Sequence, residues 1–91
     1  MPYIVKTSAA NMPGTCWGVY RRVAVLEVEP GVATVAMISS HASGVVRVVE
    51  TWERLNVGHT KRCAYQRALT EAEALAAKLN ADDVACHAAK A

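Results

Sequence analysis

Histidine, cysteine and adjacent aspartates are the residues of this 91-residue chain whose types could do covalent or metal chemistry. His41 follows Ser39 and Ser40 in "ISSHASG". A Ser–His relay needs a nucleophile, a base and a group that orients the base; no nucleophile motif surrounds either serine, and the segment reads as a turn. His59 and Cys63 stand four apart, a spacing that sets two ligands on one helix face, but His59 precedes the expected helix cap. Cys86 and His87 are adjacent, so on a helix they point about 100° apart and do not converge on one ion. There is no CxxC, no GxGxxG and no GxxxxGK[ST]. Asp82 and Asp83 read as capping and solubilising residues. We therefore expect no enzyme, no metal, no cofactor and no catalytic residue. Cys16, Cys63 and Cys86 are an odd set without a framework spacing, expected as reduced thiols that pack as small hydrophobes.

A different chemistry is offered by "NVGHTKRCAYQR", Asn56 to Arg67. Arg54, Lys61, Arg62 and Arg67 are cations with no acid among them. A helix N-terminus already carries roughly half a positive charge and ordinarily attracts Asp or Glu. Lys61 and Arg62 at such an end, with Arg67 one turn on, make a candidate anion or nucleic-acid site.

The elements that must position these groups follow from periodicity. "YIVKTS", Tyr3–Ser8, is rich in β-formers and predicts a first strand at a sheet edge or as an arm. Trp17–Val28 predicts a second strand, with apolar residues on both faces at its middle, as in a strand covered on both sides. "EPGV", Glu29–Val32, has Pro and Gly where a type II turn needs them. Ala33–Ser40 predicts a third strand and "HASG", His41–Gly44, a turn. Val45–Val57 predicts the longest strand, and a bulge near Glu53 would re-aim Leu55 and Val57. The period then changes: Tyr65, Ala68, Leu69, Ala72, Leu75, Ala76 and Leu79 recur at three and four, the signature of an amphipathic helix. Thr60 is its cap, Leu79 its last turn and Asn80 its end. Asp82 or Asp83 would cap a short last helix, "DVACHAAK".

The expected architecture is a single α+β domain over residues 1–91: an antiparallel sheet of three to four strands packed on one long C-terminal helix, with a short terminal helix. The apolar share is 53% with no Phe, so the core is built of Val and Ala around Tyr3, Trp17, Tyr20, Trp52 and Tyr65. One helix covers one sheet face. The other face, valine-rich on this reading, is left for a homodimer through the sheet or its edge, or for a protein ligand. No apolar run approaches the ~20 residues of a membrane span, and the N-terminus has no cationic and apolar leader pattern. A cytoplasmic protein without a membrane partner is expected. The net charge of +2 and pI near 8.6 fall short of the strongly basic balance of a dedicated nucleic-acid domain.

Two resemblances bear on function. "TKRCAYQRALTEAEALAAKL" loosely resembles the last helix of double-stranded RNA-binding domains, through Lys61, Arg62, Ala64 and the later alanines. That likeness, over about a fifth of the chain, implies cations meeting phosphates and alanines packing on a three-stranded sheet. The family opens with a helix that reads the minor groove, whereas this chain opens with a strand candidate. In size, format and lack of catalytic motif the chain is similar to the small inhibitor proteins of phages and mobile elements, including those of anti-CRISPR type. No diagnostic residue carries that likeness; it implies a module that blocks a host protein complex by occupying its surface. Aromatic residues and Arg dominate such contacts, which makes Trp17, Tyr20, Arg21, Arg22, Arg47 and Trp52 the expected partner-binding residues.

Overall fold

The computed structural model describes residues 2–11, 19–32, 34–56 and 62–90; side chains of residues 10, 11, 19, 56, 62 and 85–90 lie outside the description. Three strands, β1 (Tyr3–Asn11), β2 (Val19–Val28) and β3 (Val45–Asn56), precede one helix, α1 (Arg62–Lys90). The strands form an antiparallel sheet in the order β1-β2-β3, so β2 is central and β1 is an edge. The fold is α+β, and the valine-rich β2 has apolar residues toward both sides because both of its faces are covered.

On one face, Val23 and Val25 of β2 pack against Ala68, Ala72 and Ala76 of α1, flanked by Tyr3, Val5, Val49, Trp52, Leu55, Tyr65, Leu69, Leu75 and Leu79. The alanines let the helix backbone come close to the β-branched row beneath it, and the larger residues fill the margins. On the reverse face, Ala24, Leu26, Val28 and Val45 are buried under Val35, with Ile4, Val32, Ile38, Ala42 and Val48 around them.

That reverse cover corrects two expectations. Residues 34–40 form bends and a turn, not the expected strand, so among the described residues the sheet has three strands, within the expected three to four. Val32, Val35, Ile38 and Ala42 recur at three and four, whereas a strand needs a period of two; they pack onto the sheet instead of pairing beside it. The segment closes on itself as a compact loop: the Glu29 N–H donates to the Gly44 carbonyl at 2.8 Å. Its first turn is the expected one, with the Val32 N–H donating to the Glu29 carbonyl at 3.1 Å and Gly31 at φ +86°. The apolar end of the reverse face is thus sealed by the chain's own loop.

The helix also differs from expectation. It runs without a break from Arg62 to Lys90, through Asn80, Asp82 and Asp83, so the separate short terminal helix is absent. Asn costs a helix only a few tenths of a kcal/mol against its neighbours, and here the Asn80 side chain has other partners. The Tyr3 N–H donates to Asn80 Oδ1 and Asn80 Nδ2 donates to the Tyr3 carbonyl, each at 3.0 Å. At 29 residues the helix is roughly 44 Å long, and it overruns the sheet in a molecule 55 Å along its longest axis.

The bulge in β3 lies where the sequence places it. Arg21 pairs with Leu55 and Val23 with Trp52, so Glu53 and Arg54 together oppose Arg22. Arg54 takes φ +63°, and the extra residue returns Leu55 to the helix side beside Trp52. Val57 lies outside the described residues.

Candidate partner-binding surface

The 29–44 loop covers the Val28 end of the reverse face, and none of its described residues joins the packing at the Tyr20 end. β2 alternation puts Tyr20 and Arg22 on the reverse side with Ala24, and Arg21 on the helix side with Val23. Arg22 stands over the Tyr20 ring, its Cζ 6.0 Å from the centroid, and its Nη2 donates to the Tyr20 hydroxyl at 3.5 Å. Its Nε lies 3.1 Å from Glu53 Oε1, although that N–H makes no directed hydrogen bond. The contact is an ion pair at a solvent boundary, worth a fraction of a kcal/mol. The hydrogen bond to Tyr20 raises the Arg22 pKa above its ordinary value, desolvation opposes it, and the field of Glu53 adds a smaller rise. Arg22 is therefore a permanently charged group held in place on an aromatic ring.

The described residues around this pair are polar. Ser8 faces Arg22 in the register of β1 and β2, and Lys6 faces Ala24. Thr51 faces Ala24 from β3. Arg54, exposed on the bulge, adds a cation at the same end. Apolar groups are covered here by a polar, net basic surface, not by an unpartnered valine layer.

The other expected contact residues are dispersed. Arg21 turns to the helix side, its Cζ 4.7 Å from the Tyr65 ring centroid. Trp52 is half-buried in the helix-side core, and its Nε1 donates to Glu71 Oε2 at 3.1 Å. Arg47 lies at the far end of the sheet, bonded through Nε to Glu27 Oε1 at 2.7 Å, and that hydrogen bond raises its pKa. Arg67 is exposed on α1. Trp17 and Lys61 lie outside the described residues. Arg62 opens α1, and its side chain lies outside them too. The sheet thus brings Tyr20 and Arg22 together on one surface and sends Arg21, Trp52 and Arg47 elsewhere. Sequence reasoning missed Lys6 and Arg54 as their neighbours; the parity of β1 and the bulge near Glu53 were the available signals.

Among the described residues, the groups considered for chemistry do not converge. The His41 N–H donates to Ser39 Oγ at 3.1 Å, a local turn bond at an exposed site. Cys63 is free and exposed, contrary to the expectation of a packed thiol. Cys16 and His59, and the side chains of Cys86 and His87, lie outside the described residues. Among the described residues no three His, Cys, Asp or Glu side chains come together as a metal site. None of their helices is long and apolar enough to cross a membrane. The described chain enters its sheet directly at β1, so the minor-groove helix of double-stranded RNA-binding domains has no counterpart among the described residues. Comparison with protein-family models, curated proteins and solved structures gives no match.

Proposed function

We propose that this chain is a non-enzymatic, cytoplasmic protein-binding module that acts by occupying the surface of a host protein or complex, in the manner of the small anti-CRISPR-type inhibitors of phages and mobile elements. Its docking surface is the Tyr20 end of the reverse face, centred on Tyr20 and Arg22 with Lys6 and Arg54 beside them. The observation that carries this reading is the Arg22–Tyr20 stack, left uncovered by the 29–44 loop. An arginine already ordered on an aromatic ring loses little entropy on docking, and such residues dominate binding energy. The basic balance of the patch selects an acidic protein surface.

The test is affinity capture from a bacterial lysate treated with nuclease, using the wild-type chain and Arg22→Glu. A protein retained by the wild type after nuclease and lost with Arg22→Glu supports the reading. Retention that vanishes on nuclease treatment assigns the patch to nucleic acid, and equal retention by both chains removes it from the interface.

A further inference from the structure

We propose that two copies of this chain join edge to edge through β1, antiparallel about a two-fold axis at Thr7, with each α1 overhanging the partner's first strand. The proposal starts from the backbone of β1. The Pro2 carbonyl accepts from the Val28 N–H at 2.7 Å, so by antiparallel alternation Tyr3, Val5, Thr7 and Ala9 aim their backbone groups away from β2. The Asn80 amide engages those of Tyr3. Those of Val5, Thr7 and Ala9 face outward, with no strand beyond β1 among the described residues. Edge strands are ordinarily blunted by proline, bulges or several charges. β1 has a regular register throughout, no proline within it and Lys6 as its one charge.

Beside this edge runs a groove of 480 Å³ between Tyr3 and Val5 of β1 and Ala76, Ala77, Ala81 and Val84 of α1, with Glu73 and Asn80 on its margin. Val84 is 60% exposed. The helix thus presents small apolar residues beyond the last strand, as a roof over the space a fourth strand would fill.

A second copy fits that space by register and by charge. With the two-fold at Thr7, Val5 opposes the partner's Ala9, and the outward groups exchange about six hydrogen bonds. Ala9 is small and apolar and suits the groove. Moving the axis to Ser8 would set Asn11, a polar residue, beside Val5, and moving it to Lys6 would oppose two lysines directly. The Thr7 register places Lys6 against the partner's Ser8. Arg21 pairs with Ala9, so the partner's Arg21 lies two strands, about 10 Å, from Val5. It is on the same face as Glu73, an exposed acid on the groove's margin. Arg21 stacks on Tyr65, and its Nε has no hydrogen-bond partner. The two-fold brings each Glu73 toward an Arg21 that has no ion pair among the described residues of its own chain.

The experiment is sedimentation equilibrium of the full chain from low to high micromolar concentration. The wild type is expected to dimerise. Thr7→Pro is expected to be monomeric with an unchanged circular dichroism spectrum, since proline is tolerated on an edge whose N–H faces solvent. Glu73→Arg is expected to weaken the dimer about tenfold, and Arg21→Glu added to it to restore affinity, as for a matched charge pair. If Thr7→Pro unfolds, the charge-exchange pair decides. A wild type that stays monomeric, or a dimer indifferent to Glu73→Arg, overturns the proposal. So does a β1 edge protected only in a complex with a foreign protein.

Discussion

Asn80 holds Tyr3 by both of its backbone groups: the amide oxygen accepts the Tyr3 N–H and the amide nitrogen donates to the Tyr3 carbonyl, each at 3.0 Å. A helix side chain thereby stands where the next strand's backbone would stand, and it ties the edge strand to the helix that covers it.

Replacing Asn80 by Ala removes both bonds and leaves part-buried backbone groups without their partner. The expected loss is about 1–3 kcal/mol in urea unfolding. Asn80→Asp keeps the acceptor, loses the donor and places a carboxylate against the Tyr3 carbonyl, so it should recover little. In hydrogen exchange the Tyr3 amide should lose protection in Asn80→Ala, which removes its acceptor, while β2 amides near Val25 keep theirs.

The loop over the reverse face depends on Gly44. It has φ +86°, and a Cβ there would meet the Val32 Cγ atoms at 3.1 and 3.2 Å. Gly31 has the same φ but open space around it. Gly31→Ala should therefore cost only the backbone conformation, about 1 kcal/mol. Gly44→Ala should cost more, because Val32 is packed against the reverse-face core and must shift. Thermal melts of the two variants side by side check the order.

Arg54 is a non-glycine residue at φ +63° in the β3 bulge, a conformation that glycine adopts without penalty. Arg54→Gly should stabilise the fold, by about 0.5–1 kcal/mol after the added entropy of the unfolded chain is counted. Because Arg54 also belongs to the proposed docking surface, the same variant should bind the partner less well. Stability and affinity moving in opposite directions would separate the two roles.

The fold was legible in the sequence wherever local pattern and tertiary need agreed. The valines of β2, the turn at Pro30-Gly31, the bulge near Glu53 and the alanine stripe from Ala68 to Ala76 all read directly. The misreadings fall where a side chain serves a distant element. Asn80 looks like a helix end until its partner is found 77 residues away. Val35 and Ile38 look like strand residues because they are β-branched, yet they serve as a lid on Leu26 and Val28. The proposed docking surface was only half legible. Residue type singled out Tyr20 and Arg22, but no local signal separated them from Arg21, Arg47 and Trp52, which the pleat and the helix send to other surroundings.

The charge of Arg22 makes a prediction about pH. A cation whose pKa is raised on folding adds stability that is fully present below its unfolded value and is lost only as the pH climbs through the folded one. Arg22 is raised from a value already far above neutrality, so its contribution is constant from about pH 6 to 9. Partner affinity read by surface plasmon resonance should not fall through that range on account of Arg22. A step near neutrality would implicate a histidine instead.

The most direct measurement is hydrogen–deuterium exchange on the captured, nuclease-treated complex, compared with the free chain. Docking through the Tyr20 end of the reverse face predicts new protection at Tyr20–Arg22 and at the facing β1 and β3 amides around Ser8 and Arg54, with residues 34–44 unchanged. Protection confined to the 34–44 segment, or to α1 beyond Asn80, would contradict it.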